Sequence, residues 1–153
     1  MLEVGVKGLA GSVKIEDVPA ETAWERLKTD AGSALVDVRT RAEWTFVGLP
    51  DLESLGKQVL AVEWQTFPDN RVDPDFAGKL ASLLEQVGVA KDAEVFFLCR
   101  SGARSQAAAG AMADAGYTRC RNVADGFEGP LGPDRKRGAV SGWKAAGLPW
   151  RQG

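Results

Sequence analysis

Three short runs of consecutive apolar residues constrain the fold of this chain more than any other feature. Residues 34–36 read Ala-Leu-Val before Asp37, residues 59–62 read Val-Leu-Ala-Val before Glu63, and residues 95–98 read Val-Phe-Phe-Leu before Cys99. A strand that is apolar at every position is buried on both faces, which is typical of a parallel sheet covered by helices. We therefore expect a parallel sheet at the centre of the fold.

Helical patterns separate these apolar runs. The predicted helices cover residues 19–28, 76–87 and 104–115, and two further strands are predicted at residues 13–18 and 119–123. The predicted helix at residues 76–87 ends at Gly88, and the one at residues 104–115 ends at Gly116. A glycine at this position is typical of helix C-termini. Strands that alternate with helices place the chain in the α/β class.

The length of 153 residues favours a single domain, residues 1–153, because a chain of this size buries about two-thirds of its unfolded surface. We expect its core to cover residues 13–150, after an N-terminal arm of residues 1–12. Glycines and prolines make a loop-rich tail after Asp125. Because Trp143 and Trp150 lie in that tail, it is expected to dock back on the domain.

The chain contains no histidine, which excludes Ser-His-Asp triads, Cys-His nucleophile pairs and His-ligated zinc. Its net charge of -2 comes from residues of both signs, so no nucleic-acid partner is expected.

Cys99 and Cys120 are too few for a disulfide framework or a metal cluster, and we expect no cofactor. Without a secretory signal or the roughly 18 apolar residues of a membrane span, a cytoplasmic protein with no membrane partner is expected.

Residues 98–105, Leu-Cys-Arg-Ser-Gly-Ala-Arg-Ser, lie where a buried strand ends and an alanine-rich helix begins. In open α/β sheets, ligands bind beyond the carboxyl ends of the strands, where helix N-termini present unpaired backbone amides. Cys99 is therefore suited to act as a nucleophile. The helix dipole, the loop amides and the side chains of Arg100 and Arg104 would stabilise its thiolate, so no histidine base is needed.

The sequence Cys-Arg-Ser-Gly-Ala-Arg-Ser at residues 99–105 resembles the active-site loop of the rhodanese family of sulfurtransferases. Residues 35–44, Leu-Val-Asp-Val-Arg-Thr-Arg-Ala-Glu-Trp, resemble the second signature of that family, an Asp-Val-Arg with a glutamate four residues further on. Residues 122–123, 126–129 and 147–150 are also similar to bacterial single-domain members. The resemblance covers nearly the whole chain.

The resemblance implies a rhodanese-like three-layer α/β/α sandwich with a central, mainly parallel five-stranded sheet. It also implies a ping-pong reaction in which Cys99 takes a sulfane sulfur from a small anionic donor such as thiosulfate. The resulting persulfide would pass the sulfur to cyanide or to a thiol, including a protein thiol. By the same resemblance, the substrate-binding loop consists of Arg100, Ser101, Gly102, Ala103, Arg104 and Ser105. The two loop arginines would bind the donor, and Asp37 and Arg39 would brace the loop.

Two other functions stay open. A rhodanese fold can serve as a non-catalytic binding or regulatory module, although family members of that kind often lack the loop cysteine. Cysteine phosphatases and arsenate reductases share the fold, but five residues separate their cysteine from their arginine, whereas four separate Cys99 from Arg104. The loop also differs from the Cys-Arg-Lys-Gly type associated with thiosulfate, which leaves the sulfur donor open.

Three further features have two interpretations each. Cys120 could act as a resolving thiol for Cys99, but its place in a predicted strand favours a small core residue. Trp143 could line the pocket or belong to the core. The charged run at residues 134–137 could be a docking site, although a solvated loop tip is the simpler interpretation.

Overall fold

The computed structural model describes residues 15–66 and 69–152. The predicted N-terminal arm and the first two residues of the predicted strand 13–18 lie outside the described residues. The strands are β1 (Glu16–Val18), β2 (Ala34–Asp37), β3 (Leu49–Pro50), β4 (Leu60–Ala61), β5 (Gln65–Thr66), β6 (Arg71–Val72), β7 (Glu94–Leu98), β8 (Arg119–Val123) and β9 (Trp150–Arg151). The α-helices are α1 (Ala20–Thr29), α2 (Arg41–Phe46), α3 (Phe76–Gln86) and α4 (Ala103–Asp114), and a 3-10 helix covers Glu53–Leu55.

Five parallel strands of the described residues form the central sheet, in the order β1-β8-β7-β2-β4. Strand β7 lies in the middle, between β8 and β2. Asp37, the last residue of β2, pairs with Leu98, the last residue of β7. The carboxyl ends of these two strands therefore meet at one edge of the sheet. The predicted α/β fold with a five-stranded parallel sheet is confirmed.

Alternate side chains of β7 enter two separate hydrophobic cores. Val95 and Phe97 pack on the face covered by α3 and α4, whereas Phe96 and Leu98 pack on the face covered by α1. All four side chains are fully buried, and each such burial contributes about 1.5–3 kcal/mol. A helix layer on each face explains why this strand is apolar at every position.

The tail after β8 packs against the same core as α1. Trp143 is 0% exposed and meets Trp24 edge to face, with ring centroids 5.9 Å apart. The Trp143 indole N–H donates to the Pro149 carbonyl at 2.7 Å. Trp150 lies in β9, which pairs with β3, and 41% of this residue stays exposed. The predicted docking of the tail is confirmed, and Trp143 is a core residue.

The helices agree closely with the sequence prediction. Helices α1, α3 and α4 begin and end within one residue of the predicted ranges 19–28, 76–87 and 104–115. The longest helix of the described residues, α4, has 12 residues. Across residues 15–66 and 69–152, no helix has the length and apolar character needed to cross a lipid bilayer.

Other elements differ from the prediction. Strand β4 has two residues, where the apolar run covers residues 59–62. Helix α2 and the small antiparallel pairs β3 with β9 and β5 with β6 are absent from the predicted elements. Helix α2 has six residues and buries none of them fully, so it lacks the apolar stripe by which a helix is recognised.

Candidate active site

The nucleophile predicted from the sequence lies at the carboxyl end of the central strand. Cys99 follows β7 directly, and only 1% of it is exposed. Its Sγ accepts a hydrogen bond from the backbone N–H of Gly102 at 3.1 Å and lies 3.2 Å from the Ser105 hydroxyl. Both neighbours can donate to the sulfur, as the thiolate form of a cysteine requires.

Backbone N–H groups are left unpaired where the loop enters α4. Gly102 is the N-cap of this helix and has a φ of 116°, a left-handed conformation that favours glycine. Among the described residues, no carbonyl accepts the N–H groups of Arg100, Ser101, Ala103 and Arg104. Such orphan amides at a helix N-terminus attract negative charge. The loop can therefore receive an anionic sulfur or an oxyanion.

Hydrogen bonds from the segment after β8 hold the loop in place. The Cys99 carbonyl accepts the N–H of Phe127 at 2.8 Å, and the Arg100 carbonyl accepts those of Glu128 and Gly129 at 3.0 and 3.1 Å. Gly126 has a φ of 60°, and a Cβ at this position would overlap the carbonyls of Cys99 and Arg100. The tail thereby determines the path of the loop.

Substituting alanine for Gly126 is expected to destabilise the fold by about 3 kcal/mol or more, because the methyl group overlaps the loop carbonyls and the backbone is left-handed. Gly56→Ala is the matched control, since Gly56 has a φ of 72° and open space around a Cβ. That change should cost only about 1–2 kcal/mol. Urea unfolding measures both losses, and equal values would contradict the close approach at Gly126.

Arg104, the second loop arginine, is paired with Glu43 of α2. Its Nη1 lies 2.8 Å from Oε1, and its Nη2 lies 2.9 Å from Oε2. Glu43 also forms a capping box with Thr40. Burial raises the pKa of Glu43, but the hydrogen bonds from Arg104 and from the Thr40 N–H outweigh it and lower that pKa to about 2. The same ion pair raises the pKa of Arg104, with a smaller contribution from Cys99.

This ion pair is expected to stabilise the fold in a pH-dependent way. Because the pKa of Glu43 is lowered from 4.5 to about 2 on folding, its contribution is complete above pH 4.5 and is lost as the pH falls towards 2. The lowered pKa corresponds to a contribution on the order of 3 kcal/mol. Denaturant unfolding of the wild type and of Glu43→Gln should therefore differ at neutral pH and converge in acid. A difference that is independent of pH would contradict the ionised pair.

Asp37 and Arg39 form an ion pair that is completely buried. The Arg39 Nη2 lies 2.6 Å from the Asp37 Oδ2 and donates to the Gly48 carbonyl at 2.7 Å. The guanidinium carbon lies 4.2 Å from the centre of the Phe127 ring, and Nη1 is buried with no acceptor among the described residues. Since Phe127 donates to the Cys99 carbonyl, the pair reaches the loop through Phe127.

An open groove of about 550 Å³ lies beside the loop. Its walls are formed by Thr40, Ala42, Glu43, Val47, Asn70, Arg100, Arg104, Glu128 and Arg137. Both loop arginines line this groove, as does Arg137 of the charged run, whose Nη1 donates to the Gly129 carbonyl at 2.7 Å. The charged run therefore contributes one residue to the groove, whereas Trp143 lies in the core.

Cys120 is a core residue. It pairs with Val95 across the sheet, and Cys99 lies four residues beyond Val95, so the two cysteines are at least about 13 Å apart. A disulfide needs Cα atoms within about 7 Å. Burial also raises the pKa of Cys120 to about 11. The interpretation of Cys120 as a resolving thiol is wrong.

Two polar residues near Cys99 are not among the site residues predicted from the sequence. Asn122, on β8, is buried and accepts a hydrogen bond from the Ser105 hydroxyl through its Oδ1. Its Nδ2 donates to Asp17 of β1 at 2.9 Å. A polar residue inside a buried strand is a signal that could have identified Asn122. Asp17 carries no such signal, because 105 positions separate it from Asn122.

One protein family matches nearly the whole chain. The family model STR4 middle domain matches residues 16–153. The chain belongs to the STR4 middle-domain family. A relative of this STR4 middle-domain chain, an uncharacterized protein of Rickettsia conorii, is 35% identical over 139 residues, which cover 91% of this chain and 99% of the relative. The crystal structure of Rv0390 from M. tuberculosis has 48% sequence identity and a TM-score of 0.80, covering 92% of this chain and 100% of that one.

More distant relatives carry names that describe a fold or an activity. A sulfurtransferase of Allochromatium vinosum is 26% identical over 135 residues, which cover 88% of this chain and 94% of that protein. The chloroplastic rhodanese-like domain-containing protein 4 of Arabidopsis thaliana is 27% identical over 131 residues, which cover 86% of this chain and 24% of that protein. This STR4 middle-domain protein is thus a member of the rhodanese-like superfamily, and the predicted resemblance is confirmed at that level.

Proposed function

We propose that this protein is a sulfurtransferase that carries a sulfane sulfur as a persulfide on Cys99. The setting of the Cys99 sulfur supports the proposal most directly. The sulfur lies at the end of the central strand, next to the N–H of Gly102 and the hydroxyl of Ser105. The arginine-lined groove lies beside the same loop. The similarity to a named sulfurtransferase of A. vinosum is a second, independent support.

In the first half-reaction, the Cys99 thiolate attacks the outer sulfur of a donor such as thiosulfate. A new S–S bond forms at Sγ while the sulfur–sulfur bond of the donor breaks, and sulfite leaves with the electron pair. One negative charge on the thiolate and two on thiosulfate become one on the persulfide and two on sulfite. No proton and no external oxidant are needed.

In the second half-reaction, a thiolate acceptor or cyanide attacks the outer sulfur of the persulfide. The bond between that sulfur and the Cys99 Sγ breaks, and its electron pair returns to Sγ. The products are the acceptor persulfide or thiocyanate and the free Cys99 thiolate. The enzyme is thereby restored to the form that the loop stabilises.

Different groups around Cys99 would stabilise the negative charge on the persulfide and on the donor. The unpaired N–H groups of the loop would receive the charge on the outer sulfur. The Arg100 guanidinium has no ion-pair partner within the described residues and lines the groove, so it would bind the oxygens of an anionic donor. Arg104, held by Glu43, would add positive charge from a fixed direction. Charge-assisted hydrogen bonds of this kind contribute about 1.5–3 kcal/mol each.

Intact mass spectrometry after incubation with thiosulfate tests the proposal. We expect the wild type to gain the mass of one sulfur atom, a reductant to remove it, and Cys99→Ala to gain none. A wild type that gains no sulfur from any of several donors, or a Cys99→Ala variant that gains it equally, would overturn the proposal. Hydrolysis of an aryl phosphate without any sulfur transfer would favour a phosphatase instead.

A further inference from the structure

Three side chains connect the edge strand β1 to the nucleophile. The Asn122 Nδ2 donates to the Asp17 Oδ1 at 2.9 Å and to the Gly102 carbonyl at 3.1 Å. The Asn122 Oδ1 accepts the Ser105 hydroxyl, whose Oγ lies 3.2 Å from the Cys99 Sγ. Asn122 and Ser105 are buried, whereas Asp17 is exposed. A surface carboxylate is thus linked to a buried sulfur.

Asp17 and the Gly102 carbonyl determine which way the Asn122 carboxamide points. Both can only accept hydrogen bonds, so they require the NH₂ group of the amide on their side. The opposite orientation would place the Asn122 oxygen against two other oxygens and would turn two N–H donors towards the Ser105 hydroxyl. With the amide fixed, its oxygen is the acceptor that faces Ser105.

The fixed amide controls a hydroxyl with one proton and three possible acceptors. The Ser105 Oγ has the Asn122 Oδ1, the Gly102 carbonyl and the Cys99 Sγ within hydrogen-bond distance. When the hydroxyl donates to Asn122, its lone pairs can accept the S–H of a Cys99 thiol. When Cys99 is a thiolate, the same hydroxyl can turn and donate to the sulfur. Asn122 holds the Ser105 Oγ at a position from which it can accept a hydrogen bond from the Cys99 thiol or donate one to the thiolate.

We propose that Asp17 and Asn122 are positioning residues for the Cys99 nucleophile, acting through Ser105. The inference rests on the proposed function of Cys99 in sulfur transfer. Neither residue lines the groove beside the loop, so they should affect the reactivity of the sulfur and leave donor binding largely unchanged. In kinetic terms, their loss should lower kcat with little effect on KM.

Substitutions at Asp17 test the network at an exposed position, where folding is least disturbed. Asp17→Ala removes the acceptor that orients the amide and should slow sulfur transfer about threefold to tenfold, as expected for one lost hydrogen bond. Asp17→Asn retains an oxygen that can accept from Asn122 and should keep most of the rate. Glu16→Ala is the matched control, since Glu16 lies beside Asp17 on β1 and its partner is Arg121. It should leave the rate unchanged.

A double-variant comparison separates positioning from a merely structural role. Asn122→Ala and Ser105→Ala should each slow transfer by about tenfold or more. Because Asn122 acts through Ser105, the variant with both changes should be little slower than Ser105→Ala alone. Multiplicative losses would overturn the proposal, as would equal rates for Asp17→Ala and Glu16→Ala. Thermal unfolding of every variant identifies any that fail to fold.

Alkylation of Cys99 by iodoacetamide provides a readout that does not depend on sulfur transfer. The reagent is uncharged and reacts with the thiolate, so alkylation rates should follow the same order as transfer rates. If no donor charges the wild type but alkylation follows this order, the sulfurtransferase proposal fails while the positioning role stands. If transfer occurs but the alkylation rates of the Asp17 and Asn122 variants match the wild type, the positioning role fails.

Discussion

Replacing Cys99 with serine is expected to reduce sulfur transfer by about a thousandfold or more, down to the background rate. A serine hydroxyl stays protonated at neutral pH and cannot hold a sulfane sulfur as a persulfide. The neighbouring groups cannot compensate, because the N–H of Gly102 and the hydroxyl of Ser105 stabilise a nucleophile without supplying one. Thiocyanate formation from thiosulfate and cyanide measures the loss.

The matched control is the same substitution at Cys120. This residue lies in the core, and its Sγ is within hydrogen-bond distance of the Tyr117 carbonyl, to which a serine hydroxyl can donate. Cys120→Ser should therefore keep the wild-type rate, with a stability loss of about 1 kcal/mol. If instead both variants lost activity to the same degree, a second thiol would be required and the assignment of Cys99 as the sole sulfur carrier would be wrong.

A second large effect is expected when the buried partner of Arg39 is removed. Asp37→Leu should cost about 3–5 kcal/mol, because it leaves a charged guanidinium in the interior without its carboxylate. Arg39 and Asp37 are both 0% exposed, so water cannot replace the lost partner. The shift of the urea unfolding midpoint measures this cost.

Two further variants show whether the charge or the packing is responsible. The double variant Asp37→Leu, Arg39→Met removes both charges and should be more stable than Asp37→Leu alone. Glu25→Ala is the control for an exposed ion pair, because the side chains of Glu25 and its partner Lys28 are 62% and 51% exposed. It should lower the free energy of unfolding by less than about 1 kcal/mol. A double variant as unstable as Asp37→Leu would mean that lost packing, rather than the unpaired charge of Arg39, causes the loss of stability.

The strand that leads to Cys99 could be predicted from the sequence because burial on both faces leaves a continuous apolar run. The run at residues 95–98 ends at Cys99, and a helix pattern follows it closely. In a parallel sheet this order places the cysteine at the carboxyl edge, beside a helix N-terminus. Local patterns alone are therefore enough to predict that Cys99 lies at this edge.

The partners of the loop depend on contacts between distant segments, which local patterns do not contain. The sequence predicts that Arg104 binds the donor, and it contains no local signal for the pairing of this guanidinium with Glu43, 61 positions away. Helix α2, which presents Glu43, has too few residues for an apolar stripe. Its capping box, Thr40 with Glu43 three residues later, is the one local signal that could have predicted where this helix begins.

The attachment of the loop to the tail bears on the order in which the protein folds. Cys99 lies in the middle third of the chain, but its site is completed by Asp17 from β1 and by Phe127 from the segment after β8. Contacts between residues so far apart in sequence form late, because long loops must close first. We therefore expect the Cys99 sulfur to meet these neighbours only after the flanking segments have packed. In a partly folded chain, the same side chain should be exposed without them.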